Sequence, residues 1–146
     1  MNGASVLDRN KDVVRRCIEE VWNRGETSAI AELVHPSFRR HHERNQDHDT
    51  HGVEGFAAWV REVRGGLPDL KVNIVLMVAE NDRVMTYLQC TATHQGELKG
   101  VAASNTALSF TTTAIVRLAE DKICECWAIA DTLGILQRLG AVASLG

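Results

Sequence analysis

The sequence predicts an α+β fold in which a curved, mostly antiparallel sheet wraps around N-terminal helices and leaves a conical pocket. Three observations carry this expectation. Apolar residues recur at steps of three to four in the first half of the chain. From Leu70 onward they alternate at every second position. Short polar turn signals then separate runs rich in Thr, Val, Ile, Tyr and Phe, the β-branched and aromatic set.

The elements follow in order. Val13, Val14, Cys17, Ile18, Val21 and Trp22 form one apolar stripe, so the first twenty-five residues carry a helix. Asp8 or Asn10 can cap its start and Gly25 can end it. A short second helix is expected from Thr27 or Ser28, with Ile30, Leu33 and Val34 facing inward and Pro36 as its stop. Arg39 to His51 reads as a polar stretch. Val53, Phe56, Trp59, Val60 and Val63 mark a third helix ending at Gly65-Gly66 and Pro68. Strands are expected over Leu70–Val78, Val84–His94, Ala107–Leu118 and Lys122–Ala130, with turns at Asn81-Asp82 and Glu120-Asp121. An apolar segment, Leu133 to Leu139, closes the chain before Gly140.

The 146 residues suit one core, and residues 1–146 are read as a single domain. Sixteen Lys and Arg against nineteen Asp and Glu give a net charge of −3, which disfavours a nucleic-acid partner. No apolar run approaches the ~20 residues that span a bilayer, so no membrane partner is expected. The N-terminus has no basic start followed by an apolar block, which argues against a secretory signal. Cys17, Cys90, Cys124 and Cys126 show no metal-site or redox spacing, and are expected to be buried, reduced thiols in a cytoplasmic protein. Cys124 and Cys126 are read as sharing one strand face, about 6.5–7 Å apart at the α-carbons, near the limit for a disulfide.

Asp131 is the first candidate for chemistry, because it follows the otherwise apolar strand KICECWAIA. A half-buried carboxylate there disfavours its charged form, which suits a proton donor or acceptor. The same residue precedes Thr132-Leu133-Gly134-Ile135 and can equally cap a terminal helix. His94 ends a strand and is either a proton-sharing partner or a structural residue. The stretch from His41 to His51 holds His41, His42, His48 and His51 with Glu43, Asp47 and Asp49, but lacks the spacing of a metal-binding helix. No metal is expected; a loop at the pocket mouth is, lending a residue such as His42 to a ligand. No GxGxxG, Walker loop or GxSxG is present, so hydride transfer, phosphoryl transfer and serine-elbow chemistry lack support.

The order of several short motifs resembles the SnoaL-like polyketide cyclase family, within the nuclear-transport-factor-2-like cone fold (a cystatin-like α+β barrel). These are Glu20, Trp22 and Asn23; His51-Gly52-Val53-Glu54-Gly55; Leu67-Pro68-Asp69-Leu70; and Thr93-His94-Gln95-Gly96-Glu97. Asp121 to Trp127 with Asp131, and Leu136 to Gly140, complete the series. The resemblance implies cofactor-free intramolecular aldol closure of a small polyketide substrate, a lyase or isomerase type of reaction in antibiotic or other secondary metabolism. It implies Asp131 as acid/base, with His94 assisting. Tyr87, Gln89, Trp59, Trp127, His42 and Phe56 are expected to touch the substrate. It also implies a homodimer or homotetramer built through the sheet. Tyr87, Ala92, Asn81 and the loop Ala103-Ser104-Asn105 depart from the family pattern. Isomerases, hydratases, dehydratases, spiro-ring-forming enzymes and non-catalytic binding modules are the alternatives on the same scaffold.

Overall fold

The computed structural model describes residues 5–42 and 48–144. The apolar stripe of the first helix forms as expected, but its winding changes midway. An α-helix, α1 (Val6–Arg16), runs directly into a π-helical segment, Cys17–Asn23. The cap is neither Asp8 nor Asn10. Ser5 lies in extended backbone and its Oγ accepts the Asp8 N–H at 3.1 Å. Asn10 is buried instead. Gly25 ends the element at φ 72°, a left-handed conformation that glycine adopts without penalty.

After a 3-10 turn at Thr27–Ala29 and the single turn of α2 (Ile30–Leu33), the chain departs from the sequence reading. Pro36 does not stop a helix. It lies inside a strand, β1 (Val34–His41), at a shift of register between Val34 and Arg39. A proline lacks the N–H that a regular ladder needs, and an interrupted ladder tolerates it. A two-residue strand, β2 (Thr50–His51), leads into α3 (Gly52–Gly66). Glu43 and Asp47 of the His-rich stretch lie outside the described residues.

The second half forms the predicted strands, β3 (Lys71–Glu80), β4 (Arg83–Thr93), β5 (Ala107–Ala119) and β6 (Lys122–Ala130). The alternation breaks in β3, where a register shift between Ile74 and Leu76 turns Leu76 and Val78 outward, away from the face of Leu70 and Val72. The β5–β6 turn puts Glu120 and Asp121 at φ 54° and 59°, the geometry of a tight hairpin whose twist matches its strands. The short helix α4 (Thr132–Arg138) follows. The sheet has six strands in the order β2-β1-β6-β5-β4-β3. β3 to β6 form an antiparallel meander, and β1 pairs with β6 in parallel.

The core lies between the helices and one face of this sheet. Val14, Val21, Leu33, Val60, Val84 and Leu118 are all buried there. Two side chains then tie helices to strands through backbone groups. The Asn23 amide donates to the Val72 carbonyl at 3.0 Å and accepts the Val72 N–H at 2.6 Å. Asp69 accepts the Thr93 N–H and the Thr93 hydroxyl, each at 2.7 Å. Those bonds, the backbone one first, hold the Asp69 carboxyl below its ordinary pKa. A third tie is a contact so close that only glycine fits. Gln95 and Gly96 donate to the Gly66 carbonyl at 3.0 and 3.1 Å, and a β-carbon on Gly96 would strike the Gly65 carbonyl oxygen.

Two outcomes follow. Gly96→Ala should lower the midpoint of denaturant unfolding by an amount worth about 1–3 kcal/mol, since backbone must move to admit the methyl group. Asp69 has a folded pKa below its unfolded one, so its stabilisation is complete above about pH 4 and drains away as pH falls through the folded value. Thermal melts of wild type and Asp69→Asn should therefore differ at neutral pH and converge in acid.

Candidate functional site

The helices do not fill the hollow of the sheet. A cavity of about 210 Å³ remains between the Cys17–Asn23 turn, α3 and strands β4 to β6. Alternation dictates its wall. On β4 the even positions Val84, Thr86, Leu88 and Cys90 face inward, and on β5 Phe110, Thr112, Ala114 and Val116 do. A register shift in β6 between its pairings with Arg117 and Leu118 changes the parity there, so Ile123 and Cys126 both reach the wall. Small side chains follow at Ala128 and Ala130, which keeps the hollow open.

One end of the cavity is aromatic. Trp22 meets Trp59 edge to face at 4.8 Å, and Phe56 lies 5.5 Å from Trp59. Phe38 closes the cluster from behind at 5.1 Å from Phe56. The guanidinium of Arg40 sits over the Trp59 ring, 4.4 Å from its centroid, and faces the cavity. Lys99 also lines it, from a turn in which Lys99 and Gly100 both have positive φ. Among the described residues these two cations are the charged groups of the wall, and no carboxylate or imidazole contributes to it. Polar neutral groups come from Thr86, Thr112 and Thr132.

The cysteines divide. Cys17 and Cys126 line the cavity and burial pushes each thiol up to about 12. Neither is a thiolate at neutral pH, so neither is a nucleophile. Cys124 does not share the wall with Cys126, because the irregular pairing of β6 turns it toward the Arg117 carbonyl, 3.4 Å away. All four cysteines are buried and free.

Of the site residues expected from sequence, Phe56 and Trp59 line the cavity and six do not. Tyr87 and Gln89 occupy odd positions on β4 and point to the outer face; Tyr87 is 43% exposed and Gln89 donates to Ser109 Oγ at 2.9 Å. Trp127 is also on the outer face, stacked on the His41 ring at 4.8 Å and 11°. His42 is held away from the wall by its N–H, which donates to Asp49 at 2.7 Å, and its ring packs edge-on to His48. His94 is fully buried in protein. Its Nε2 donates to the Val101 carbonyl at 3.2 Å and its Nδ1 pairs with Ser104 Oγ at 2.8 Å. It pins the loop that carries Lys99. Asp131 is exposed rather than half-buried. Its Oδ1 accepts the Gly134 N–H at 3.0 Å, the cap of α4 that the sequence also allowed, and the carboxylate packs where a Gly134 β-carbon would stand. The flanking residues Ala130 and Thr132 both line the cavity, so Asp131 stands at its rim.

Sequence reasoning missed Arg40. It shares parity with Val34 and Phe38, both buried, and that spacing was the available signal. Outside the cavity, His41 belongs to a charge chain on the outer face. Its Nε2 meets Glu125 at 2.7 Å, and Arg117 donates to the same carboxylate at 2.5 Å. These bonds, His41 first, hold Glu125 below the usual carboxylate range. Arg39 and Asp49 continue the chain at 2.8 Å. Among the described residues no group of His, Cys, Asp and Glu could hold a metal ion, and no helix is long and apolar enough to cross a membrane.

A sheet wrapped around helices, with a greasy hollow open at one rim, defines a cone-shaped α+β domain. The chain belongs to the SnoaL-like polyketide cyclase family, whose sequence profile matches residues 12–139. Solved structures agree on the fold. A candidate SnoaL-like polyketide cyclase from Jannaschia sp. CCS1 superposes with a TM-score of 0.87 at 23% identity, covering 97% of this chain and 99% of that one. AclR, a candidate hydroxylase from Streptomyces galilaeus, gives 0.83 at 25% identity over 96% and 86%. IdmH, a candidate polyketide cyclase from Streptomyces antibioticus, gives 0.76 at 23% over 90% and 98%. Among curated proteins none matches the chain.

The cavity makes two checks available. Ala114→Phe or Ala128→Phe would project a ring into the empty volume; either should abolish small-molecule binding while the circular-dichroism spectrum stays native. Iodoacetamide at mildly alkaline pH should leave all four thiols unmodified in the folded protein and label them after unfolding, as read by mass spectrometry.

Proposed function

We propose that this chain is a cofactor-independent cyclase acting on a polyketide-like substrate in secondary metabolism. The observation that carries this reading is the enclosed apolar cavity with its Arg40–Trp59 end, in a chain of a cyclase family. Such a cavity folds a flexible polycarbonyl chain so that two of its carbons meet. In the reaction a base takes a proton from a carbon between two carbonyls. The enolate carbon then attacks a second carbonyl, a C–C bond forms as the C=O π bond breaks, and the new alkoxide takes a proton. No electron acceptor is consumed.

Asp131 is the acid/base of this proposal, acting from the rim. Its position between Ala130 and Thr132, which both line the cavity, supports this; the proton transfer requires the carboxylate to leave the Gly134 N–H. Asp131→Asn keeps a capping oxygen and should leave the melting temperature nearly unchanged, while turnover falls by about 10²–10⁴. Asp131→Ala should lose both the turnover and about 0.5–2 kcal/mol of stability. Full activity of the Asn variant would remove Asp131 from the chemistry.

One observation favours a second reading. No carboxylate or imidazole among the described residues lines the cavity, which is what a carrier or sensor of small molecules would show. Tight binding without turnover, unchanged in Asp131→Asn, would select it.

The protein is further proposed to be a homodimer through the outer face of the sheet. Leu76, Val78, Met85, Tyr87, Ile115 and Ile129 are exposed there, between 37% and 64%. Soluble monomers rarely leave such a contiguous apolar face in water. The bordering pair Arg117–Glu125 offers both charges to a two-fold copy. Ile115→Glu should halve the mass found by sedimentation equilibrium and leave the cavity's ligand affinity unchanged.

A further inference from the structure

The geometry points to the Thr112 hydroxyl as the group that binds a carbonyl oxygen of the ligand, one ladder step from Asp131. The inference rests on the reading of the cavity as a ligand site. It goes beyond that reading by naming the group recognised, a ketone or ester carbonyl, and the residue that recognises it.

Thr112 faces inward from β5 and lines the cavity. Its surroundings on that face are hydrocarbon. Leu88 stands directly across on β4 and Ala130 directly across on β6, with Phe110 and Ala114 as the next inward residues of its own strand. Valine has the same shape as threonine and suits a strand equally well, so packing alone does not call for a hydroxyl here. Bringing a hydroxyl out of water into such a wall is costly unless it is hydrogen-bonded. Among the described residues the Thr112 oxygen meets only the Cys90 thiol, at 4.0 Å. Sulfur is a weak partner as donor and as acceptor. Burial pushes the Cys90 thiol up, so it is neutral and makes no anionic claim on the hydroxyl.

Thr86 provides the contrast. It lines the same wall from β4, one diagonal step from Thr112, and is buried. Its hydroxyl donates to the Ala114 carbonyl at 3.4 Å, so its hydrogen is directed into the sheet. The Thr112 hydrogen is the one left for a guest.

The register of β5 and β6 then decides what that guest group meets. Thr112 pairs with Ala130, the residue before Asp131. The Asp131 N–H donates to the Thr111 carbonyl at 3.2 Å, which fixes the rim carboxylate's backbone to the same strand. Directly opposed residues hold their α-carbons about 4.5–5.5 Å apart. A carbonyl that accepts from Thr112 is therefore polarised next to the residue proposed to take a proton from the adjacent carbon. As the enolate forms, its oxygen gains charge against a donor already in place. Thr112 keeps its hydrogen throughout, and Asp131 carries the transferred proton.

The test uses acetophenone and its carbonyl-free isostere α-methylstyrene, titrated into the full isotope-labelled chain and followed by NMR. Both should bind wild type. Thr112→Val keeps the shape of the wall and should weaken acetophenone about three- to tenfold, the range of one hydrogen bond, with α-methylstyrene within about twofold. Thr86→Val should leave both probes within about twofold, because its hydrogen is not the donor. The carbonyl carbon resonance of bound acetophenone should lie downfield in wild type and move back upfield in Thr112→Val, which a merely structural threonine would not cause. A native spectrum and unchanged α-methylstyrene binding show that each variant is folded with its cavity intact. Acetophenone binding that is unchanged in Thr112→Val, or weakened in Thr86→Val instead, would overturn the donor and leave the cavity reading standing. Failure of both probes to bind wild type would overturn the donor and the cavity reading together.

Discussion

The two-residue alternation of side chains along β4, β5 and β6 is the constraint on which the rest of the molecule depends. It gives the sheet one face for the helices and one for the outside, with no freedom to mix them. The inward set is apolar and the helical stripe from Val14 to Val21 packs on it. The inward residues become small at Ala114, Ala128 and Ala130, and there the helices cannot follow the sheet's curve. The hollow is what remains. It arises from a packing mismatch held open by rigid walls, which is how an apolar cavity persists in an otherwise close-packed protein.

Those walls are kept rigid by hydrogen bonds from a few polar side chains, three of which lie in the motifs that carry the resemblance read from the sequence. Asn23 zips the end of the first helical element to the start of β3, and Asp69 joins that same start to the end of β4. His94 saturates both ring nitrogens within its own loop. Arg64 adds bonds to the carbonyls of Trp22 and Pro68 at 2.6 and 3.1 Å. Each replaces a helix-end or loop backbone group's lost water contact with a protein partner. In this chain Asn23, Asp69 and His94 therefore serve the frame around the cavity rather than the chemistry inside it.

Legibility in the sequence tracked the simplicity of the physical signal. Long strands and the helices around Val14 and Phe56 announced themselves by period, and their turns by residues at ease with positive φ. β1 did not, because Pro36 and Arg40 break its apolar alternation. The proline is tolerated at an irregular pairing and the arginine is placed inside by stacking on Trp59, and neither compensation is visible in a linear chain. The same limit governed the site. Phe56 and Trp59 sat on a helical stripe whose inner face was evident. Tyr87, Gln89 and Trp127 are large or polar groups that invite a ligand role, yet parity sends them outside. On β6 size misleads outright, since the bulky Trp127 faces out and the alanines face in. Asp131 offered two readings from one position, and the backbone of α4 takes its oxygen.

The loop between β4 and β5 is welded at its root and has open space around Gly100 at its tip. Gly96 is locked against Gly65 and His94 grips Val101 and Ser104, whereas Gly100 faces open space. A side chain at Gly100 would meet no neighbour, while the adjacent Leu98 and Lys99 help to roof the hollow. A scaffold arranged this way lets natural drift or a designer exchange the doorway, and with it the size and polarity of the guest admitted, while the building stays upright.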